Sequence, residues 1–526
     1  MATPDYWAEP LYDRHRTRVF SLDESIAEDD PVRMVDEVLT ALDWSSWEAC
    51  YQRKRGQPPI HPRYLAAAIL YGLYRGIRSS RRLEEACRYR IDFMWLVNGN
   101  HIDHTTFSRF RTKFREELKQ LFRQIGRTAI ELGLASLGRV GFDGTRVKAN
   151  NSRFRTLTAK TLEEKLRALD KLFDELCSQM NTTDDDQAGE GSPTQLPPEL
   201  ADLQDRRERI KETLEKAKAA DEARRRQGVN RAKNPAQVPV TDPDSRVMPN
   251  KDGGYAPNYT PVATTEGQNG FILDADVLAE VNESPAAVAA VDRIEETFGT
   301  NPEQFLTDAG NNSGQVMLEM EQRGVEFYAP VGSGEAEPGH PAYREDPAEP
   351  VPESARAELP RNGHGLLDKS CFVYDAERDL YYCPMGRELP FDKSKPDQRG
   401  NESVQLRVYR CPNCAGCELK GDCISSNNKG GRTITRDPYE EVRKRTVARM
   451  ASENGRQVYN ERPRIAETPF AILKHIMGLR QFLLRGLDKV KTEWLWACTA
   501  LNLMKLARGI AALRAEQSEM AAESTK

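Results

Sequence analysis

No apolar run in this 526-residue chain approaches the roughly 18 residues needed to cross a bilayer. The amino terminus, Met-Ala-Thr-Pro-Asp-Tyr-Trp, also lacks the basic and apolar stretches of a secretion signal. No membrane association is therefore expected, and a cytoplasmic location is. The 7 histidines are scattered, so His101 and His104 read as caps or surface groups rather than metal ligands. There is no internal repeat. A disulfide framework is not expected either, because a cytosolic chain keeps its thiols reduced. Yet 5 of the 10 cysteines fall between residues 383 and 423, which asks for another explanation.

The chain is long enough for three or four units at the usual prior of about 150 residues each. Its net charge of -5 argues mildly against a nucleic-acid partner until it is resolved along the sequence. Residues 51–125 hold 16 Lys or Arg and 6 Asp or Glu, a surplus of 10 positive charges, so the rest carries -15. A basic module on an acidic body is the layout of a chain that docks on phosphates at one end. The alternative is an ordinary solvated helical face.

That module reads as helices. Residues 61–75 have Pro62 in the first turn and Leu65, Ile69, Leu70 and Leu73 near helical spacing; a second helix follows Ser79 and Ser80. Asp103-His104-Thr105-Thr106 supplies caps for a third, from Phe107 to about Leu132, carrying Arg109, Arg111, Lys113, Arg115, Lys119 and Arg123. Helix, turn, helix, turn and basic helix is the order of a helix-turn-helix reader, so residues 1–135 are expected to bind double-stranded DNA.

Beyond it, residues 139–149 alternate as two short strands around Asp143-Gly144. Two leucine-rich helical patterns in 159–235 read as an inserted helical hairpin with an acidic, flexible connection that includes Asp184-Asp185-Asp186. Strands return at 259–264, 271–278, 304–308 and 325–330, with helices starting near Ser284 and Ser313. This mixed α/β order fits a ribonuclease-H-like core divided between 136–158 and 236–335. Residues 336–368 read as a flexible linker, 369–435 as a cysteine-rich insertion, 436–515 as a helical end of the core and 516–526 as a disordered tail. Trp494 and Trp496 lie in an amphipathic helix and read as core.

Two carboxylates end strands, Asp143 after the first and Asp308 in Phe-Leu-Thr-Asp-Ala-Gly, and both are followed by small residues that leave room for a phosphate. A third, Glu467, lies on a helical stretch where Arg464 and Lys474 can share its face. Three carboxylates from separate elements can hold two Mg2+ ions, or Mn2+, on either side of one phosphorus. Each alone is an ordinary turn or cap residue. Glu283 could assist them, although a helix-end role beside Ser284 is the commoner use.

With Thr105-Thr-Phe-Ser-Arg-Phe-Arg111, Phe142-Asp-Gly-Thr-Arg-Val-Lys-Ala-Asn150, Thr307-Asp-Ala-Gly310 and Ala466-Glu-Thr-Pro-Phe470 read together, the chain resembles the DDE transposases of bacterial insertion sequences over most of its length. The resemblance implies Asp143, Asp308 and Glu467 as the catalytic acids. It also implies cleavage and strand transfer of element DNA, terminal inverted repeats and target DNA as partners, a homodimer or higher oligomer, and a nucleoid-associated bacterial protein. A binder derived from such an enzyme but without cutting activity is the alternative. The last acid of that family sits in a signature of Tyr, two residues, Arg, three residues, Glu, six residues and Lys. Tyr459, Arg462, Glu467 and Lys474 match it except that four residues separate Arg462 from Glu467, so Arg464 could substitute.

The cysteines Cys411-Pro-Asn-Cys414-Ala-Gly-Cys417 and Cys423, with Cys383 upstream, have spacings that a structural Zn2+ accepts. Cys411, Cys414, Cys417 and Cys423 are the default ligands and Cys383 can replace one. Reduced thiols in a small subdomain, or a redox role, are the other readings.

Overall fold

A computed structural model of the chain describes residues 19, 21–51, 58–151, 155–184, 198–226, 235–250, 253–280, 283–331, 339–399, 402–425 and 430–524. Two compact units emerge, each assembled from separated stretches: Met1–Leu134 with Val147–Val247 and Ala471–Lys526, and Ala135–Arg146 with Met248–Phe470. The structure mixes helices and strands throughout.

In the first unit Asp30 and Asp103 cap their helices as acceptors, Asp103 taking the amides of Thr105 and Thr106. The basic helix expected over 107–132 is two helices, His104–Lys113 and Arg115–Glu131, broken at Phe114 (φ -102°, ψ 58°). The break turns Phe114 inward, where its ring lies 4.8 Å from Phe110 and 5.4 Å from the fully buried Trp47. Aromatic burial of this kind outweighs one lost helical turn. The long helix Leu487–Ser524 closes this core with buried Trp494 and Trp496. The helices Ala159–Asp184 and Pro198–Arg226 share a small core of Leu162, Ile210, Leu214 and Ala217. The acidic connection between them, 185–197, lies outside the described residues, as do residues 525 and 526; the rest of the tail expected to be disordered, 516–524, is instead the end of the helix Leu487–Ser524.

The second unit is built on a sheet. Five of its strands are β1 (Arg139–Gly144), β2 (Tyr255–Glu266), β3 (Ile272–Leu278), β4 (Gln304–Leu306) and β5 (Glu326–Tyr328), in the order β3-β2-β1-β4-β5. β2 runs antiparallel to both β1 and β3, whereas β1, β4 and β5 are parallel. The β1–β4 register pairs Val140 with Phe305 and Gly141 with Leu306. Phe142, Phe305 and Phe327 stack across the three parallel strands at 5.7 and 6.3 Å. The helices Ser284–Phe298 and Gly314–Gln322 cover the apolar surface through Val291, Ile294, Met317 and Met320. Ser313 caps the second of these helices by accepting the amide of Val316. A buried two-point pair, Arg293 to Asp274 at 2.7 Å for each contact, ties the first helix to β3.

A second sheet in this unit, β6 (Val373–Asp375), β7 (Leu380–Tyr382), β8 (Glu388–Arg399), β9 (Glu402–Arg410) and β10 (Thr433–Arg436), is an antiparallel meander. It carries the cysteine cluster. The stretch expected as a flexible linker, 336–368, is packed over its described part: Ala342, Val351, Leu359 and Leu367 are buried beside Cys371, Cys383 and Cys411. Its prolines and charges disguised four apolar anchors at irregular spacing. The nine cysteines whose side chains are described form no disulfide. Among the described residues no helix is long and apolar enough to cross a membrane.

Candidate active site

Asp143 lies two residues beyond Gly141 on β1, and Asp308 two residues beyond Leu306 on β4. The register pairs Gly141 with Leu306, so Asp143 near the end of β1 and Asp308 two residues past the end of β4 leave the same edge of the sheet from neighbouring parallel strands. Asp143 is largely buried and accepts the amide of Gly144 at 2.8 Å. Asp308 caps a short turn, accepting from the Gly310 amide at 2.9 Å and the Asn311 side chain at 3.1 Å. These bonds fix each carboxylate's direction before any ligand arrives.

The third acid arrives on a helix laid across the sheet. A Cβ built on Gly141 would lie 2.9 Å from Ile465 Cγ2 and 3.1 Å from the Ala466 amide nitrogen, so only glycine lets Pro463–Glu467 seat this closely on β1. Gly141→Ala is expected to cost about 1–3 kcal/mol through overpacking, read as a lowered midpoint in thermal unfolding; an unchanged midpoint would show that this contact is not tight.

Pro463–Glu467 and Ile472–Ile476 are π-helical turns flanking the α-turn Thr468–Ala471. A π-turn holds one residue more than an α-turn, so the extra residue between Arg462 and Glu467 is absorbed and the two side chains still meet, at 3.2 Å. Arg462 also reaches Asp143 at 3.6 Å. Its side chain is 12% exposed, against 56% for Glu467. Arg464 points elsewhere, 59% exposed, to Glu461 and the Gly267 carbonyl, so it does not take the place of Arg462. Burial raises the Tyr459 hydroxyl pKa; Arg462 opposes the shift, and Asp308, Asp143 and Glu467 add to it. One phenol thus senses all three acids and the arginine between them.

The helix-end use foreseen for Glu283 is not what its side chain does: it makes no capping bond. It pairs with Arg146 at 3.0 Å, and a Cβ on Gly144 would fall 2.1 Å from its carboxylate. Burial raises its pKa, Arg146 lowers it, and the neighbouring Asp143 raises it further. The pair sits directly behind Asp143. The signal available in sequence was Gly144, whose missing side chain makes the space.

The expected metal ligands are not drawn into a cage. Among the described residues no group of three or more His, Cys, Asp or Glu is arranged to hold an ion as the side chains stand. At the acids, the cation between Asp143 and Glu467 is the Arg462 guanidinium. The donor set, three carboxylates with one largely exposed, nonetheless suits a hard divalent ion that also takes phosphate oxygens and water.

Of the basic residues expected to meet DNA, Arg109 and Lys113 are exposed, Lys113 over the Phe114 ring. Arg115 pairs with Asp488 at 2.8 Å. Arg111 is turned inward: Nη1 donates to the Arg78 carbonyl, Nε and Nη2 are closed off from solvent, and burial pulls its pKa down to about 10. It is not part of the exposed basic surface. Lys474 belongs to the helical unit, in Ile472–Ile476.

The family described as "Transposase DDE domain" matches residues 382–507, which include Glu467 and the cysteine cluster. A second, "Transposase domain (DUF772)", matches residues 20–113. The two matches support an insertion-sequence DDE transposase. The two matches fall on either side of Asp143 and Asp308. No curated protein matches the chain. A transposase DDE domain points to a nuclease or transposase enzyme and implies DNA binding, and such domains typically use divalent metal ions.

Proposed function

We propose that this transposase cleaves and joins the ends of its insertion sequence by phosphoryl transfer at Asp143, Asp308 and Glu467, on a ribonuclease-H-like sheet. The observation that carries the reading is that Asp143 and Asp308 leave the same edge of the sheet from adjacent parallel strands, with Arg462 linking Asp143 to Glu467. Two Mg2+ or Mn2+ ions bound by these acids would supply Lewis acidity and an activated oxygen nucleophile. The chain's own part is alignment. Asp143 and Asp308, fixed by backbone amides, define where the scissile phosphate sits, and Glu467 closes the site from the crossing helix. Arg462, freed from its carboxylates, faces phosphate with a planar fork of donors.

Arg109 and Lys113 lie on the side of the helical unit that we infer binds double-stranded DNA, in helix-turn-helix fashion, at terminal inverted repeats. Assembly as a homodimer or higher oligomer on paired ends, and a cytoplasmic, nucleoid-associated location, follow from that reading. The zinc expected at the cysteine cluster is a separate matter of different residues.

The test uses the full-length protein with a DNA fragment carrying its own element's ends. Nicked strands and joined products that require Mg2+ or Mn2+ support the proposal. Retarded DNA that is never cut at any metal concentration would overturn it in favour of a non-catalytic binder.

A further inference from the structure

Five cysteines that the carboxylate chemistry does not use face one small cavity in the second unit. Cys383, Cys411, Cys414, Cys417 and Cys423 line a slot of about 20 Å³, room for about one water-sized sphere. Cys383 lies in the turn from β7 to β8, Cys411 follows β9, and Cys423 ends the short helix Lys420–Cys423. Thiols collected from separate turns around a space of that size are the donors that a tetrahedral ion takes.

Backbone amides are aimed at two of the sulfurs. The Arg387 amide donates to Cys383 Sγ at 3.4 Å and the Arg432 amide to Cys414 Sγ at 3.5 Å. A neutral thiol is a weak acceptor, whereas a thiolate is favoured by such donors. The first of these turns depends on Gly386 (φ 71°), where a Cβ would fall 1.9 Å from the Ala348 carbonyl oxygen. Gly416 (φ 65°) gives the same left-handed step between Cys414 and Cys417.

The five thiols are not equivalent. Cys423 is within electrostatic reach of Cys383, Cys414 and Cys417, and Cys383 of Cys417 and Cys414. Cys411 is within electrostatic reach of Cys383 and Cys414 as well, and it alone of these is seen to hydrogen-bond to a neighbouring thiol, that of Cys414. Its backbone is held separately, its amide donating to the Arg432 carbonyl at 2.9 Å.

We propose that this slot is a structural Zn2+ site whose ligands are Cys383, Cys414, Cys417 and Cys423, with Cys411 as a hydrogen-bonding neighbour outside the coordination shell. This revises the default drawn from spacing, in which Cys411 was a ligand and Cys383 the substitute. An all-sulfur tetrahedral set selects zinc over hard cations such as Mg2+. Uptake exchanges four S–H bonds for four Zn–S bonds and releases four protons, with no change of oxidation state. Among the described residues the sulfurs are not arranged at ligating distances, so uptake draws the side chains inward. The ion would staple the β7–β8 turn to the 414–423 loop. Arg432, whose guanidinium donates to the Cys423 and Leu367 carbonyls, extends that staple to the packed stretch before β6.

The test is elemental analysis with thiol counting on the full-length protein. Wild type is expected to retain about one zinc per chain through gel filtration, and chelation should expose about four further reactive thiols. Cys383→Ser should lower retained zinc at least about tenfold, while Cys411→Ser keeps it. Should Cys383→Ser be insoluble, Co2+-loaded wild type and Cys411→Ser must give the same thiolate-to-cobalt absorption bands of a four-sulfur site. Wild type without zinc, or bands in Cys411→Ser that show a lost sulfur, would overturn the assignment. None of these readouts involves strand cleavage, so the fate of the acid-site proposal does not affect them.

Discussion

Asp143→Asn is expected to leave binding of the element ends unchanged while strand cleavage falls at least about a thousandfold. The substitution is nearly isosteric and can still accept the Gly144 amide, so the end of β1 keeps its shape. What changes is charge, at the acid that leaves the same sheet edge as Asp308 and contacts Arg462. Charge stabilisation of a transferring phosphoryl group by bound metal is worth several kcal/mol, and about 1.4 kcal/mol corresponds to each tenfold in rate. Gel retardation and a nicking assay on one protein preparation separate the two effects. Near-wild-type nicking by this variant would remove Asp143 from the site.

Arg462→Ala should split two quantities that usually move together. The guanidinium contacts both Asp143 and Glu467 and compensates their charge. Without it the carboxylates repel one another and gain more from an incoming cation, so half-maximal activity should need less Mg2+. The maximal cleavage rate should meanwhile fall about 10–100-fold, the scale of one or two charge-assisted hydrogen bonds to phosphate at about 1.5–3 kcal/mol. A metal titration of the cleavage rate reads both numbers. If the variant needs more Mg2+ than wild type, Arg462 does not compete with the metal for the acids.

Asp143 and Asp308 stand out in the sequence because each follows an apolar stretch and precedes small residues, and the strands that carry them to one sheet edge are neighbours. The placement of Arg462 was not. The mismatch of one residue in the signature was visible, but spacing treats every helix as 3.6-fold, and only a π-turn reconciles Arg462 with Glu467. Arg111 was misread for a different reason: it lies four residues after Phe107 and one after Phe110, both buried, so helical geometry already turned it inward. Counting positive charges along the helix concealed its face. The packed stretch 339–368 shows how far composition can mislead where anchors follow no period. Glu283 was noticed for its place at a helix start, yet its pairing with Arg146 depends on two elements distant in sequence.

Everything in the catalytic reading depends on Asp143, Asp308 and Glu467 sharing a pair of divalent ions. The most direct measurement is a crystal structure of the protein with Mn2+ and cleaved end DNA, using anomalous scattering to locate the metal. The account predicts two peaks about 3.5–4 Å apart, bounded by oxygens of these three side chains, with Arg462 moved onto a phosphate. Manganese peaks away from the acids, with Arg462 still between Asp143 and Glu467, would contradict it.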